Sequence, residues 1–395
     1  MNVPKLRFKE FNDEIKEYEI SDILEIKNGL NKEKEEFGFG TPIINYMDVN
    51  KKELIFSKNI KGLVNASQRE LESFKVKKGD IFFTRTSETS DEIGLSASVM
   101  DDIDNCVYSG FILKASQKEN ILNPVFSGYY FRNPRMRNEI IKHSSITTRA
   151  LTSGTLLGQM KVFIPSYQEQ DKIGKTLYLL DKKIELQLKK IEDLKLFKLS
   201  QLNLIKVDNF YKKISLKDIL KECNEKTTIN NQYEILSSTA KGIFLQSEYF
   251  NKQAASENNI GYKILKQNQL VLSPQNLWMG NININNKYKI GIVSPSYKIF
   301  DINTNLINIE YFKNWIKSPR ALYEYMISSE QGASIVRRNL NMNLFNEITL
   351  SVPNMVEQNK IGNMLSLIDN KIILEEYKYN KFIELKKGLM QSMFV

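Results

Sequence analysis

Residues 165–174 read P-S-Y-Q-E-Q-D-K-I-G, and residues 353–362 read P-N-M-V-E-Q-N-K-I-G. The blocks lie 188 positions apart in a chain of 395 residues, and the match continues without a gap. Leu177 aligns with Leu365, Leu180 with Ile368, Asp181 with Asp369, Lys183 with Lys371 and Ile184 with Ile372. A repeat near half the chain length is too long for a solenoid period. It predicts two similar halves, each a globular part followed by this element.

The repeated element reads as a long helix. Ile173, Leu177, Leu180, Ile184 and Ile191 step by four, three, four and seven, and Ile361, Leu365, Ile368, Ile372 and Tyr379 do the same. That is a heptad seam, suited to packing along another helix. Pro165 and Pro353 stop the preceding strand, since proline cannot donate to a β-ladder. About 40 residues at about 1.5 Å each make a rod of roughly 60 Å, long enough for a spacer. Polar breaks coincide as well, Gln187 with Glu375 and Lys198 with Lys386.

Each globular part opens alike, with Asp22-Ile23-Leu24 in one and Asp218-Ile219-Leu220 in the other. These are short helical turns with an acid at the positive end. Residues 42–49 and 74–86 read as strands, the latter through a Gly79-Asp80 turn, and residues 262–275 form its counterpart. Helices are expected near 124–143 and 309–328. After each comes an arginine-bearing loop, 144–154 or 332–343, with Arg149 and Arg337 in the same 188-residue register. Strands and helices that do not alternate strictly indicate an α+β class with a mostly antiparallel sheet.

Composition is that of a soluble protein. No apolar run approaches the about 20 residues of a membrane span, and the charged N-terminal stretch does not suit a signal peptide. Cys106 and Cys223 fall in different halves and form no disulfide framework, so free thiols and a cytoplasmic location are expected. The net charge of +10 is spread, with +1 in residues 1–166, +3 in 167–206, +5 in 207–353 and +1 in 354–395. That spread is compatible with a polyanionic partner without marking a basic tail.

Little points to catalysis. His143 is the only histidine, which excludes histidine-based triads and multi-histidine metal sites. Phe37-Gly38-Phe39-Gly40 resembles a fragment of a methyltransferase nucleotide loop, but a charged stretch precedes it and Pro42 closes it. There is no phosphate-cradling loop, and the acids around 88–104 read as a solvated surface.

Binding residues are easier to find. Arg132, Arg135, Arg137, Lys142 and Arg149 face a single acid, Glu139, over 131–149. Arginine can fork onto phosphates or guanine edges. Arg85 and Thr86 follow a buried strand, and Gln275, Asn276 and Trp278 occupy the matching place in the second half. Gln and Asn can read adenine, and tryptophan can stack on a base.

With those residues in hand, the chain resembles the specificity subunit of type I restriction–modification systems. The resemblance rests on the paired Pro-x-x-x-Glu-Gln-x-Lys-Ile-Gly blocks and the heptad helices after them. Residues 44–49 and 79–85, the Arg149 and Arg337 loops and the ending at 386–394 complete it. It implies two target-recognition domains, 1–165 and 207–353, separated by two long antiparallel helices, 166–206 and 354–395, in a pseudo-twofold arrangement.

The resemblance further implies a non-catalytic subunit whose domains each read one half of a bipartite, non-palindromic sequence in double-stranded DNA. The helices would set the gap and dock two methyltransferase subunits, with restriction subunits joining them. S-adenosylmethionine would sit on the methyltransferase, and this chain would hold no cofactor or metal. The expected DNA-facing residues are Arg85, Thr86, Arg132, Arg135, Arg149, Gln275, Asn276, Arg337 and Arg338. The expected docking positions are Glu169, Gln170, Ile173, Leu177 and Ile184, with Glu357, Gln358, Ile361, Leu365 and Ile372. The alternatives are a self-contained adenine methyltransferase with degenerate motifs and a coiled-coil scaffold without a DNA role.

Overall fold

The computed structural model describes residues 3–146, 148–204, 211–249, 258–331 and 338–395. It divides into two compact units, Met1–Leu188 with Tyr377–Val395, and Lys189–Glu376. Helices α1 (Pro124–Tyr130) and α2 (Pro134–His143) precede the long α3 (Tyr167–Leu204). Helices α4 (Ile309–Trp315) and α5 (Pro319–Ile327) precede the long α6 (Met355–Ser392). Strands β1 (Leu24–Asn28), β2 (Leu54–Ile55), β3 (Ile81–Thr84), β4 (Ser96–Val99) and β5 (Ile112–Gln117) build the main sheet of the first unit. Strands β6 (Leu220–Cys223), β7 (Leu270–Leu272), β8 (Ile282–Ile284) and β9 (Lys298–Ile302) build that of the second.

The sheet orders correspond. The first runs β1-β5-β3-β4-β2 and the second β6-β9-β7-β8, so the first carries one extra edge strand. All pairs in these two sheets are antiparallel except β2 with β4. Strand β3 shows the period of two that a doubly covered strand needs. Ile81 and Phe83 join the core beneath α1, while Phe82 faces Tyr108 in a second cluster.

The turn before β3 and its mate before β7 use different residues for one geometry. Gly79 takes a positive φ of 86°, and the Lys77 N–H donates to the Asp80 carboxylate at 2.8 Å. In the second unit Asn268 takes φ 65°, and the Lys266 N–H donates to the Gln269 side chain at 2.8 Å. Glycine and asparagine are the residues that tolerate this left-handed region.

Two sequence expectations shift on inspection. Each expected single helix is a pair, because Asn133-Pro134 and Ser318-Pro319 start a second helix. Asn133 accepts from the Met136 N–H at 3.0 Å and Ser318 from the Ala321 N–H at 3.2 Å, each cap followed by proline in the first turn. The strand expected over 42–49 ends at Ile44, since Asn45 and Asp48 form a capping box that opens a short helix.

The repeated Glu-Gln-x-Lys-Ile-Gly block roots each long helix on its globular part. In the first unit, buried Gln170 accepts from the Asn123 N–H at 2.8 Å and donates to the Ile121 and Pro165 carbonyls at 2.9 and 3.0 Å. In the second, Gln358 accepts from the Asn308 N–H at 2.8 Å and donates to Pro353 and Leu306 at 3.0 and 3.4 Å. Both asparagines also cap the helix that follows them. The glycine closes the block. A Cβ on Gly174 would stand 2.8 Å from the Phe126 nitrogen, and one on Gly362 2.8 Å from the Tyr311 nitrogen.

Within each unit the two long helices run antiparallel. In the first, Lys386 of α6 meets Asp181 of α3 at 2.7 Å, and Phe394 packs on Phe126 and Tyr130. In the second, Lys198 of α3 meets Asp369 of α6 at 2.6 Å, the same pair of repeat positions with the helices exchanged. Fully buried Glu375 lies 3.1 Å from Lys190 and 3.4 Å from Lys371. Among the described residues no helix is long and apolar enough to cross a membrane.

Candidate nucleic-acid interface

In both units the loop after the central strand is tied to the arginine-bearing hairpin. In the first, β3 leads to Arg85, whose carbonyl accepts from the Thr152 N–H at 3.0 Å. Thr86–Ser87 then pairs with Ala150–Leu151, which pairs with Ser145–Ile146. This three-stranded ribbon brings Arg85, Thr86 and exposed Arg149 onto one loop cluster. In the second unit, β7 leads to Gln275, whose carbonyl accepts from the Arg338 N–H at 3.1 Å. Arg338–Leu340 pairs with Ser329–Gln331. Gln275 is exposed and Asn276 half-buried. Arg337 lies outside the described residues.

The side chains at these places differ in what holds them. Arg85 Nη1 is 3.5 Å from the Gly110 carbonyl, a weak tether that leaves the guanidinium at the mouth of a cleft. That cleft, of about 530 Å³, also takes in Lys27, Lys118, Thr152 and Ser153. Thr152 Oγ1 is buried without a hydrogen-bond partner among the described residues. Arg338 is held more firmly, with Nη2 2.7 Å from the Ser329 carbonyl and Nε 3.1 Å from its hydroxyl.

Arg132 differs from the sequence expectation. Its Nε donates to Ser96 at 2.5 Å, and Nη2 donates to Val49, to Asn50 at 3.0 Å and to Lys52 at 2.9 Å, all backbone carbonyls. Burial lowers its pKa, and Glu53 only partly offsets this. It fastens the corner after α1 to the sheet through Nε and Nη2. Half-buried Arg137 likewise donates to the Asp91 and Ile93 carbonyls. Arg135 is exposed but stacks 5.6 Å over Phe163, on the strand leading into α3. Three arginines within six residues suggested one basic patch; the corner before α2 and the period of that helix send them to different partners.

The docking positions turn inward. Glu169, Gln170, Ile173 and Leu177 are 3 % exposed or less, as are Gln358 and Leu365, and Ile372 is 8 % exposed. Glu169 accepts both Nε and Nη2 of Arg7, at 2.8 and 2.7 Å, and Glu357 accepts the Tyr211 hydroxyl at 2.6 Å. Ile361 packs on the core of the second unit, and Ile184 is half-buried. The seam reading was sound, but its occupant is the chain itself. What the long helices expose is another repeated pair, Leu179 and Leu186 in the first unit and Leu367 and Leu374 in the second, again 188 apart.

Sequence reasoning missed Phe111. It is 65 % exposed, and its carbonyl accepts the Arg85 N–H at 3.0 Å, so an uncovered aromatic ring stands beside the arginine. The Ser109-Gly110-Phe111 turn, an aromatic straight after glycine, was the available signal.

Comparison with known proteins bears on the fold and on one matched domain. Residues 12–196 match the type I restriction modification DNA specificity domain. Among curated proteins, the EcoKI specificity subunit of the Escherichia coli (strain K12) type I restriction enzyme is 26 % identical over 168 residues, 42 % of this chain. The aligned stretch spans 34 % of that relative. Among solved structures, the S subunit of a type I restriction–modification system from M. genitalium superposes with a TM-score of 0.56 at 15 % identity, covering 100 % of this chain and 99 % of that one. A chain from a study of type I system assembly and conformational transition gives 0.56 at 11 % identity, over 97 % and 98 %. Residues 12–196 thus carry a type I restriction modification DNA specificity domain, and the whole chain has the fold of the M. genitalium S subunit on which it superposes.

Proposed function

We propose that this chain is the DNA-reading, non-catalytic subunit of a type I restriction–modification complex, each globular part recognising one half of a bipartite target. One observation carries it. Corresponding loops, each fixed to an arginine-bearing hairpin by a backbone hydrogen bond, present Arg85 and Thr86 in one unit and Gln275 and Asn276 in the other. Equal scaffolds with unequal side chains suit two different half-sites, so the target is non-palindromic. Arginine selects guanine or phosphate, while glutamine and asparagine select adenine.

The globular parts are taken as 1–165 and 207–353, and the long helices as the spacer between half-sites. Double-stranded DNA, two methyltransferase subunits and restriction subunits are the partners, with S-adenosylmethionine on the methyltransferase. The repeated pair Leu179/Leu186 and Leu367/Leu374 supports docking of two copies of one subunit, because each unit shows the same exposed apolar step on one helix.

The test exchanges residues 1–165 for the matching segment of another family member and maps methylated adenines. One half of the recognised sequence should change and the other stay. A change in both halves refutes one domain per half-site. Leu186→Lys should cost the complex a methyltransferase subunit, and an intact complex would remove that face from the docking surface.

A further inference from the structure

The internal repeat shows where one unit lacks something the other has. Asn123 matches Asn308 and Phe126 matches Tyr311, so by the same register Gly128 matches Lys313 and Arg132 matches Lys317. In the first unit Lys386 Nζ lies 2.7 Å from Asp181 and 2.9 Å from Glu53. Burial pushes the Glu53 carboxyl up, but Lys386 and then Arg132 more than offset it, and the group stays below its ordinary value. The backbone of Glu53 abuts Gly128, whose Cβ would stand 2.5 Å from the Glu53 carbonyl oxygen. A carboxylate on its own segment of chain therefore fills the space between the corner arginine and the helix lysine.

In the second unit that space is open. Lys198 has its aspartate, Asp369, but position 313 is a lysine, and a cavity of about 470 Å³ lies between them. Lys198, Lys241, Lys287, Lys313 and Lys317 line it, and Asp369 is the only acid among the described residues that does. Lys313 has a loose partner in Glu310 at 3.4 Å. Lys317 Nζ donates to the Gly280 and Ala240 carbonyls at 2.7 and 3.1 Å, and burial alone pushes its pKa down to about 8. The rest of the wall mixes asparagines, among them Asn283 and Asn314, with an apolar stretch that includes Ile243, Phe244 and Ile372. Half-buried ammonium groups in excess over acids are costly without a counter-charge.

We propose that this cavity binds a carboxylate carried on an apolar body, the carboxylate taking the place that Glu53 holds in the first unit. The apolar stretch of the wall favours a hydrocarbon-bearing acid over a fully hydrated anion such as phosphate. The same chemistry has two sources, a free small monocarboxylate or an acidic side chain beside an apolar one on a partner polypeptide.

The experiment titrates the purified full chain at pH 7 with hexanoate, with inorganic phosphate and with a capped leucine–glutamate dipeptide, following heat and thermal midpoint. Saturable one-to-one binding of hexanoate or the dipeptide, at least tenfold tighter than phosphate, is expected. Whichever of the two binds more tightly identifies the source. Lys317→Met should weaken binding tenfold or more. Lys313→Glu, which supplies its own carboxylate, should abolish binding and keeps the test decisive if Lys317→Met fails to fold. Affinity should fall between pH 7 and 9 as Lys317 loses its proton. Phosphate binding as tightly as hexanoate, no binding of either carboxylate, or unchanged binding in Lys313→Glu would each overturn the proposal. DNA affinity of Lys313→Glu, measured alongside, separates this outcome from the DNA-reading assignment.

Discussion

Gln170→Ala is the sharpest probe of how the long helices are rooted. Gln170 is 1 % exposed and makes three hydrogen bonds, of 2.8, 2.9 and 3.0 Å, all to backbone groups of its own unit. Alanine would leave the Asn123 N–H and the Ile121 and Pro165 carbonyls without this partner. A buried polar group left unpaired costs about 1–3 kcal/mol. A water admitted to the vacated space would recover part of that, so a loss of about 2–4 kcal/mol is expected. Gln358→Ala should do the same to the second unit, with a slightly smaller effect because its Leu306 bond is 3.4 Å. Urea denaturation gives the stability change, and amide hydrogen exchange at Asn123 and Asn308 tells which unit has loosened. Losses under about 0.5 kcal/mol in both variants, or faster exchange at both asparagines in either one, would refute the rooting argument.

Gly174→Ala should destabilise the first unit by about 1–3 kcal/mol, since its Cβ would meet the Phe126 nitrogen at 2.8 Å. Gly388→Ala, on a helix with nothing within 4 Å, should stabilise by about 0.5–1 kcal/mol, and thermal melts separate the two. Arg85→Ala should weaken DNA binding by about 1–3 kcal/mol at fixed salt without changing stability. Arg132→Ala should instead lower stability by about 2–4 kcal/mol and leave the folded protein's DNA affinity intact, checked by paired melts and mobility shifts. Lys386→Met should flatten the acid limb of the stability curve. The folded Glu53 pKa is depressed below 4.5, so its stabilisation is present above that pH and is lost as pH falls through the folded value. Denaturation at pH 7 and pH 3.5 should show a smaller difference in the variant than in the parent.

The architecture was legible because duplication wrote it twice. A 188-residue offset without gaps carried the seam positions, the prolines and the glycines together, and it pointed to two long helices on two α+β parts. The candidate reading loops follow from position, immediately after the buried strand of each half. What could not be read was which arginines face outward. Arg132, Arg135 and Arg137 lie within six residues, and only the turn of α2 and the corner before it separate a carbonyl clamp, a ring stack and a second clamp. The inward direction of Gln170 and Gln358 escaped for a similar reason. A polar residue on an amphipathic helix reads as solvent-facing unless the backbone groups it will satisfy are already known.

The seating of Phe394 has a consequence for synthesis. Met390, Met393 and Phe394 belong to the core that Phe126, Tyr130 and Ile173 begin. The unit whose first residue leaves the ribosome earliest is thus the one completed last. Residues 189–376 form a contiguous unit that can close as soon as it emerges, while the earlier-made segment waits with an apolar face uncovered. A chain released at residue 376 would carry a finished second unit and an unfinished first one, the reverse of the usual order.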